Sequence, residues 1–330
     1  MVISRILIIT VMGFSLLTGC NENEKTKILR LAHGLDTGHP VHKAMVYMSD
    51  AVEKKSGGKM SLQIYPSQQL GTERQCVELL QIGSLDMTKV SSAVMEGFAP
   101  GYQVLSLPFI FEDRDHSWRV LDGEVGKELL LSGTDYYLRG LCFYDAGSRS
   151  FYTKDRAVTH PDDLKGLNIR VMKSPTAMDM IEHLGARPSP ISWGELYTSL
   201  QTGRVDAAEN NPPSFYHSHH YEVCRYYCLD EHSSVPDVLL ISTMAWQKLS
   251  TKEKKWLEEA AGESSLVQRT LWVEDEERSL AEIRKAGVTI IPKEEIDMDA
   301  FRKLVVPMYN AAGKDSSVKE MMTKIEELRQ

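Results

Sequence analysis

The sequence predicts an α/β fold, with helices flanking a mostly parallel sheet. Strand-like segments alternate with amphipathic segments over the first ninety residues, and the loops between them are short. The same arrangement returns about 120 residues later, and a long region rich in Glu and Lys follows near the end. Because single cores rarely organise more than ~250–300 residues, a chain of 330 residues is expected to form two domains.

The first nineteen residues are predicted to be a signal peptide. One cation, Arg5, precedes an apolar run over 6–17, and the following "LLTGC" resembles the lipobox of bacterial lipoproteins. We therefore expect residues 1–19 to be removed, Cys20 to carry a lipid, and 20–26 to link the anchor to the fold. The alternative is ordinary cleavage that leaves Cys20 unmodified.

Composition excludes some classes of function. Without Arg5, 37 of the 38 Lys and Arg residues remain against 46 acids, which gives the mature chain a net charge of −9. No basic block is present, so nucleic acid is not an expected partner. No later stretch is apolar enough to span a membrane. We predict buried free thiols, with one disulfide as the alternative, for the four other cysteines: Cys76, Cys142, Cys224 and Cys228.

Two segments of the chain resemble each other at an offset of 120 residues. Both 72–92 and 192–212 read as a helix with a capping-box start, a Leu-Gln-x-Gly stop and a strand entered through Asp. Chance similarity of two such units is the alternative. If the repeat is real, each half presents a helix start and a strand end to a shared cleft. The repeat pairs Glu73 with Trp193, Lys89 with Glu209, Val90 with Asn210 and Ser91 with Asn211.

Arg170 is the most informative single residue. In "GLNIRVM", strand alternation places it on the face opposite to Leu167, Ile169 and Val171, close to the end of its strand. A guanidinium there can grip a carboxylate with two parallel hydrogen bonds. An exposed cation or a structural ion pair is the alternative. Arg149 in "DAGSRSFY" has a similar but weaker case.

Adjacent asparagines end the strand of the second repeat. Asn210 and Asn211 stand in "DAAENNPPSFY", and Pro212 restricts the residue before it to extended geometry. An amide offers both a donor and an acceptor, which suits a hydroxyl or a carboxylate oxygen. A rigid turn rich in Asn and Pro is the alternative.

Catalytic patterns are sparse. The stretch "HSHHYE" brings His217, His219 and His220 together, but no third metal ligand is placed by spacing, and no nucleophile or phosphate-binding motif is present. An exported metal-dependent hydrolase or lyase is the rival class, and a purely structural or adhesive lipoprotein is the third.

Taken together, these segments resemble the solute-binding proteins of TRAP transporters (DctP-like). The specific parts are "YPSQQLG", "LLQIGSLDMT", "LSLPFIF", "DLKGLNIRV", "PSPISWGELYTSLQTGRVDAAENN" and "HYEV". The resemblance implies a two-domain clam-shell of the type II-like periplasmic-binding-protein class with a long bracing helix. It implies a monomer without cofactor that captures an organic acid between its domains and delivers it to a membrane permease. The implied domains are 27–148 with 236–275, and 149–235 with 276–330.

The resemblance also implies roles for particular residues. Arg170 matches the family's carboxylate clamp, Arg149 a frequent second cation, Asn210 a ligand-binding asparagine and Trp193 an aromatic over the ligand. "GTERQ", "DMTKVSS" and "ENNPPSFY" are similar to the subgroup that takes sugar acids, especially hexuronates such as glucuronate and galacturonate. Another hydroxy acid or a C4-dicarboxylate is the alternative ligand. The polar set expected to meet several hydroxyls is Glu73, Lys89, Ser91, Asn210, Asn211 and His39.

Overall fold

The computed structural model describes residues 26–329, so the predicted signal peptide and Cys20 lie outside the described residues. The strands are β1 Lys27–Ala32, β2 Met60–Tyr65, β3 Met87–Ser91, β4 Leu138–Tyr144, β5 Arg149–Thr153, β6 Asn168–Val171, β7 Arg187–Pro190, β8 Ala207–Asn210, β9 Tyr226–Ser233, β10 Asp237–Ser242 and β11 Thr289–Ile291. The helices are α1 Pro40–Ser56, α2 Glu73–Gln81, α3 Ser92–Met95, α4 Arg114–Asp122, α5 Glu124–Ser132, α6 Pro175–His183, α7 Leu196–Gln201, α8 Pro212–His217, α9 Thr243–Gln247, α10 Thr251–Lys285, α11 Met298–Ala312 and α12 Ser316–Glu327.

The strands form two sheets, and each sheet is the centre of one domain. The first domain has the order β2-β1-β3-β10-β4 and the second has β7-β6-β8-β5-β9-β11. In both, two parallel neighbours lie beside a central strand that pairs antiparallel with the next one. This shared topology agrees with the internal repeat, in which β3 and β8 are the corresponding strands.

Both sheets are mixed: five strand pairs are parallel, and the four pairs that involve β5 or β10 are antiparallel. The chain leaves the first domain after β4 and enters the second sheet as β5, antiparallel to β8 and β9. It returns through β10, which is antiparallel to β3 and β4. Most strands follow a crossover helix of their own domain and therefore run parallel to one another. A strand that crosses directly from the other domain enters its sheet at the opposite end, so it runs antiparallel.

Local capping chemistry explains most helix starts. Thr72 and Gln75 form the predicted capping box, and the Ser174 hydroxyl accepts from the amide of Ala177 at the start of α6. The second predicted capping box is wrong, because the Ser192 side chain makes no capping hydrogen bond. A single 3₁₀ turn, Trp193–Glu195, stands there before α7 begins.

Helix α10 is 35 residues long and braces the molecule, as the sequence predicted. Its first half contributes Leu257 and Ala261, with Trp272 further along, to an apolar core of the first domain. Its last turns place Ile283 in the core of the second domain. The helix also packs against α1 in one domain and α8 in the other.

The last two helices pack into different apolar cores. Helix α11 packs Phe301, Val305 and Met308 into a core of the second domain. The apolar face of α12, however, joins the core of the first domain through Val318 and Met321.

Two further findings bear on the sequence predictions. The four cysteines of the described chain are buried free thiols, as predicted. Within residues 26–329, no helix combines the length and the apolar character that crossing a membrane requires.

Candidate ligand-binding cleft

A cleft lies between the two domains, and residues of both domains line it. Its walls come from the ends of strands and the helix starts that follow them, where ligands of α/β sheets bind. All nine residues predicted from the sequence line it: His39, Glu73, Lys89 and Ser91 from the first domain, and Arg149, Arg170, Trp193, Asn210 and Asn211 from the second.

Arg170 is a buried cation that forms no ion pair with a carboxylate of residues 26–329. It is only 2% exposed, and its Nε donates to the carbonyl of Ile191 at 2.8 Å. Its Nη1 is buried and has no hydrogen-bond partner among the described residues. The guanidinium carbon lies 5.6 Å from the ring centre of Trp193. Burial lowers the pKa of Arg170, but an arginine stays protonated at any ordinary pH.

Arg149 is also buried, but its charge is already balanced. Its guanidinium forms an ion pair with the carboxylate of Glu209 and donates to the Glu209 carbonyl at 2.8 Å. Its Nη1 donates to Oδ1 of Asn210 at 2.9 Å. The predicted second cation of the site therefore lies in the wall, where it orients Asn210.

A buried charge network supports this wall from behind. The Nδ1 of His232 lies 2.6 Å from the carboxylate of Asp230, and its Nε2 lies 3.6 Å from Glu209. Although burial opposes protonation, Asp230 and Glu209 raise the pKa of His232 to about 9. Although burial favours the neutral acid, Arg149 and His232 lower the pKa of Glu209 to about 2. Two cations and two anions thus balance one another at neutral pH.

The wall of the first domain is carboxylate-rich. The Lys89 ammonium lies 2.8 Å from Asp237 and 3.3 Å from Glu73. Burial raises the pKa of Glu73, against the opposing charge of Lys89. Glu73 and Asp237 thus share the single ammonium of Lys89, and Arg74 lines the same wall. Arg170 on the opposite wall supplies one uncompensated positive charge.

The two asparagines have different roles. The Oδ1 of Asn210 accepts from Arg149 and from the amide of Asn211 at 2.9 Å. The Asn210 amide nitrogen has no bond to the described residues. Asn211 caps α8, with its Oδ1 accepting from the Ser214 amide at 2.8 Å and its Nδ2 donating to the Ala146 carbonyl at 2.9 Å. Both ends of the Asn211 amide therefore already hold the scaffold.

His39 and Ser91 are both caps at strand-to-helix junctions. The Nδ1 of His39 accepts from the amide of Val41 at the start of α1, and burial keeps the pKa of His39 well below its usual range. Its Nε2 lies 3.5 Å from the hydroxyl of Ser214, so the two domains meet at this contact in the cleft wall. The Ser91 hydroxyl accepts from Ala93, and its amide donates to Glu73 at 3.3 Å.

Some residues of the cleft were missed from the sequence. Asp237 begins β10 and pairs with Lys89, from which it is separated by 148 positions. Gln68 has a positive φ of 59°, and its side chain lies against Gly34 of its own domain and Gly194 of the other. A Cβ at Gly194 would lie 2.6 Å from the Gln68 amide oxygen, so a residue without a side chain fits this contact.

The histidines of "HSHHYE" do not converge. His217 contacts Asp275 at 2.8 Å, and His220 contacts the hydroxyl of Tyr152 at 2.9 Å. His219 is exposed beside Tyr221. Across residues 26–329, no group of three or more metal-binding side chains is brought together.

The geometry defines a class of protein: a two-domain binding protein with a cleft between its domains that charged and polar side chains line. Residues 31–315 match the model of the family "Bacterial extracellular solute-binding protein, family 7". The chain belongs to this family, which is extracytoplasmic and binds solutes rather than transforming them. The predicted family and fold class are thereby confirmed.

Solved structures of TRAP periplasmic solute-binding proteins are closely similar. One from Xanthobacter autotrophicus Py2, with bound β-D-galacturonate, is 38% identical and has a TM-score of 0.88, covering 91% of this chain and 99% of its own. One from Chromohalobacter salexigens DSM 3043, with bound D-glucuronate, is 33% identical with a TM-score of 0.87, over 91% and 99% of the two chains. The 2,3-diketo-L-gulonate-binding periplasmic protein YiaO of Escherichia coli K12 is 29% identical over 83% of each chain.

Proposed function

We propose that this protein captures a sugar acid with a single carboxylate, a hexuronate such as galacturonate or glucuronate, for a TRAP permease. The observation that carries the proposal is the unpaired, buried guanidinium of Arg170 at the cleft wall. A buried charge without a partner is costly, so the site gains most from a ligand that brings the missing anion. In this account Arg170 holds the ligand carboxylate, and Trp193 packs over the sugar ring.

The opposite wall supplies the acceptors that hydroxyls need. Glu73 and Asp237 are both bound to Lys89, and each has further lone pairs for a sugar hydroxyl. The amide nitrogen of Asn210 serves as a donor to a ring or hydroxyl oxygen. A ligand with several hydroxyls can satisfy these groups, whereas each group left unpaired by a simpler acid costs ~1–3 kcal/mol.

The same charges disfavour the alternative ligand, a C4-dicarboxylate. One carboxylate of such a ligand would bind Arg170, and the second would approach Glu73 and Asp237, which share a single ammonium. Like charges that are brought close together raise the free energy of the complex. The uronates bound by the similar proteins from Xanthobacter and Chromohalobacter carry one carboxylate and agree with this selectivity.

The remaining parts of the proposal concern the location of the protein and how it moves. We propose that Cys20 anchors the mature chain to a membrane through its lipid, with 20–26 as the linker. We propose the domains as 27–148 with 236–275 and 149–235 with 276–315, with α12 completing the first. The protein acts as a monomer whose domains close on the ligand, since the cleft contacts come from both.

A thermal-shift screen of the mature protein tests the proposal. D-galacturonate or D-glucuronate at 100 times its dissociation constant should stabilise the fold by ~2.7 kcal/mol, and succinate at equal concentration should have little effect. A shift with succinate and none with the uronates would reject the proposed ligand class.

A further inference from the structure

A buried carboxylate joins the two domains beside the cleft. Glu96 follows α3 in the first domain and is only 9% exposed. Its Oε1 accepts from the hydroxyl of Ser174 at 2.8 Å. Its Oε2 accepts from the hydroxyl of Thr176 at 2.9 Å and from the Thr176 amide at 3.3 Å. Both partners belong to the start of α6 in the second domain, so Glu96 makes three hydrogen bonds across the domain boundary.

The start of α6 is well suited to receive this carboxylate. The first amides of a helix have no partner within the helix, and the helix dipole favours a negative charge there. The Ser174 hydroxyl accepts from the amide of Ala177 at 3.0 Å, which leaves its proton to donate to Glu96. The nine-residue α6 thus receives its anion from the other domain.

This bridge is close to the ligand but separate from it. Glu96 is not among the residues that line the cleft, whereas Val94 and Met172 are. A small apolar cluster of Ala93, Met172 and Val235 is buried beside the bridge and includes residues from both sides of the boundary. When the domains separate, the carboxylate and the helix start must both be hydrated, so the bridge exists only with the domains together.

We propose that Glu96 is a closure latch, a positioning residue that holds the domains together and so slows release of the ligand. It acts through the helix start at Ser174 and Thr176, and it does not touch the ligand. The proposal rests on the proposed function only for the identity of the ligand. Its distinctive consequence is that the latch sets the rate of ligand release without setting which sugar acid binds.

Stopped-flow kinetics with D-galacturonate and D-glucuronate test this inference. Because Glu96→Ala removes three hydrogen bonds that exist only with the domains together, it should release both ligands at least about 10-fold faster. Association rates and the ratio of the two affinities should stay at their wild-type values. The conservative Glu96→Gln keeps the shape of the side chain and one acceptor, so its release rates should lie between those of the wild type and Glu96→Ala. Glu182→Ala removes an exposed carboxylate of α6 and is the matched control.

Two further measurements keep the outcome decisive. In a double-mutant cycle, Thr176→Val should add little to Glu96→Ala, because both remove the same contacts. Small-angle scattering of ligand-free protein should show a larger radius for Glu96→Ala than for Glu182→Ala. Release rates equal to those of the control would overturn the latch. If the wild-type protein binds neither uronate, the proposed ligand is wrong, and the scattering comparison then tests the latch by itself. Equal radii for Glu96→Ala and Glu182→Ala would rule the latch out.

Discussion

Replacing each of the two buried arginines of the cleft by methionine should have opposite effects on stability. Arg170 has a buried Nη1 without a hydrogen-bond partner, and among the described residues no carboxylate forms an ion pair with it. Arg149 is paired with Glu209 and makes four hydrogen bonds. Methionine fills similar space without charge, so the comparison isolates what each charge does in the ligand-free fold.

The magnitudes follow from the partners. Removing an unsatisfied buried donor recovers ~1–3 kcal/mol, and losing the hydrogen bond from Nε to the Ile191 carbonyl costs ~1 kcal/mol, so Arg170→Met should raise the free energy of unfolding by up to ~2 kcal/mol. Arg149→Met leaves the buried Glu209 without its cation, and breaking a buried pair from one side costs ~3–5 kcal/mol. For the ligand, losing a buried charge pair costs ~2–5 kcal/mol, so Arg170→Met should weaken every carboxylate ligand about 30- to several-thousand-fold.

Urea denaturation of ligand-free protein and calorimetric titration with D-galacturonate measure the two quantities. Arg170→Met is expected to be more stable than the wild type and unable to bind tightly. Arg170→Lys should restore little binding, because a point charge cannot replace the planar fork of the guanidinium. The reasoning is refuted if Arg170→Met is destabilised as much as Arg149→Met, since Arg170 would then be structural rather than poised for an anion.

Four other variants or conditions test separate parts of the account. Asn211→Ala should lower stability by ~1 kcal/mol through loss of the α8 cap and weaken a uronate and its deoxy analogue equally; a loss confined to the uronate would restore a direct ligand role. Glu73→Gln should improve binding of succinate relative to D-galacturonate in paired titrations, and an unchanged ratio would contradict the charge argument. The pKa of His232 is raised to about 9, above its unfolded value of ~6.5, so the stability that its protonation provides is complete below pH ~6.5 and is lost as pH rises through about 9. The free energy of unfolding of His232→Gln, measured by denaturation, should therefore not show this decline with pH. An unchanged pH profile in the variant would exclude His232 as the source of the decline. Cys20→Ser should release the protein from membranes in cell fractionation, and unchanged membrane association would reject the lipid anchor.

The sequence was most informative where the relevant physics is local. Strand alternation places Arg170 on a different face from its neighbours, and capping chemistry predicts the start of α6 at Ser174. The repeat at 72–92 and 192–212 predicted two similar units, and the two sheets share their topology. Alternation and capping depend on residues within a few positions of one another, and each unit of the repeat is a short continuous segment.

The rest depends on contacts between distant positions. From the sequence, Lys89 was expected to meet a ligand, but in the structure β10 brings Asp237 beside it and the two side chains pair. Arg149 was expected to be a second cation for the ligand, but β8 places Glu209 against it and the two form an ion pair. Glu96 looks like an ordinary acid at a helix end, because its partners are about 80 positions away in the other domain. Periodicity and capping cannot reveal which charges the tertiary structure neutralises.

The central claim is that the cleft takes one sugar acid with a single carboxylate, clamped by Arg170. Isothermal titration of the mature protein with D-galacturonate, D-glucuronate and succinate, repeated on Arg170→Met, tests it most directly. The account predicts one uronate per chain, succinate bound far more weakly, and loss of uronate binding in the variant. Tighter binding of succinate, or uronate binding that survives the loss of Arg170, would contradict it.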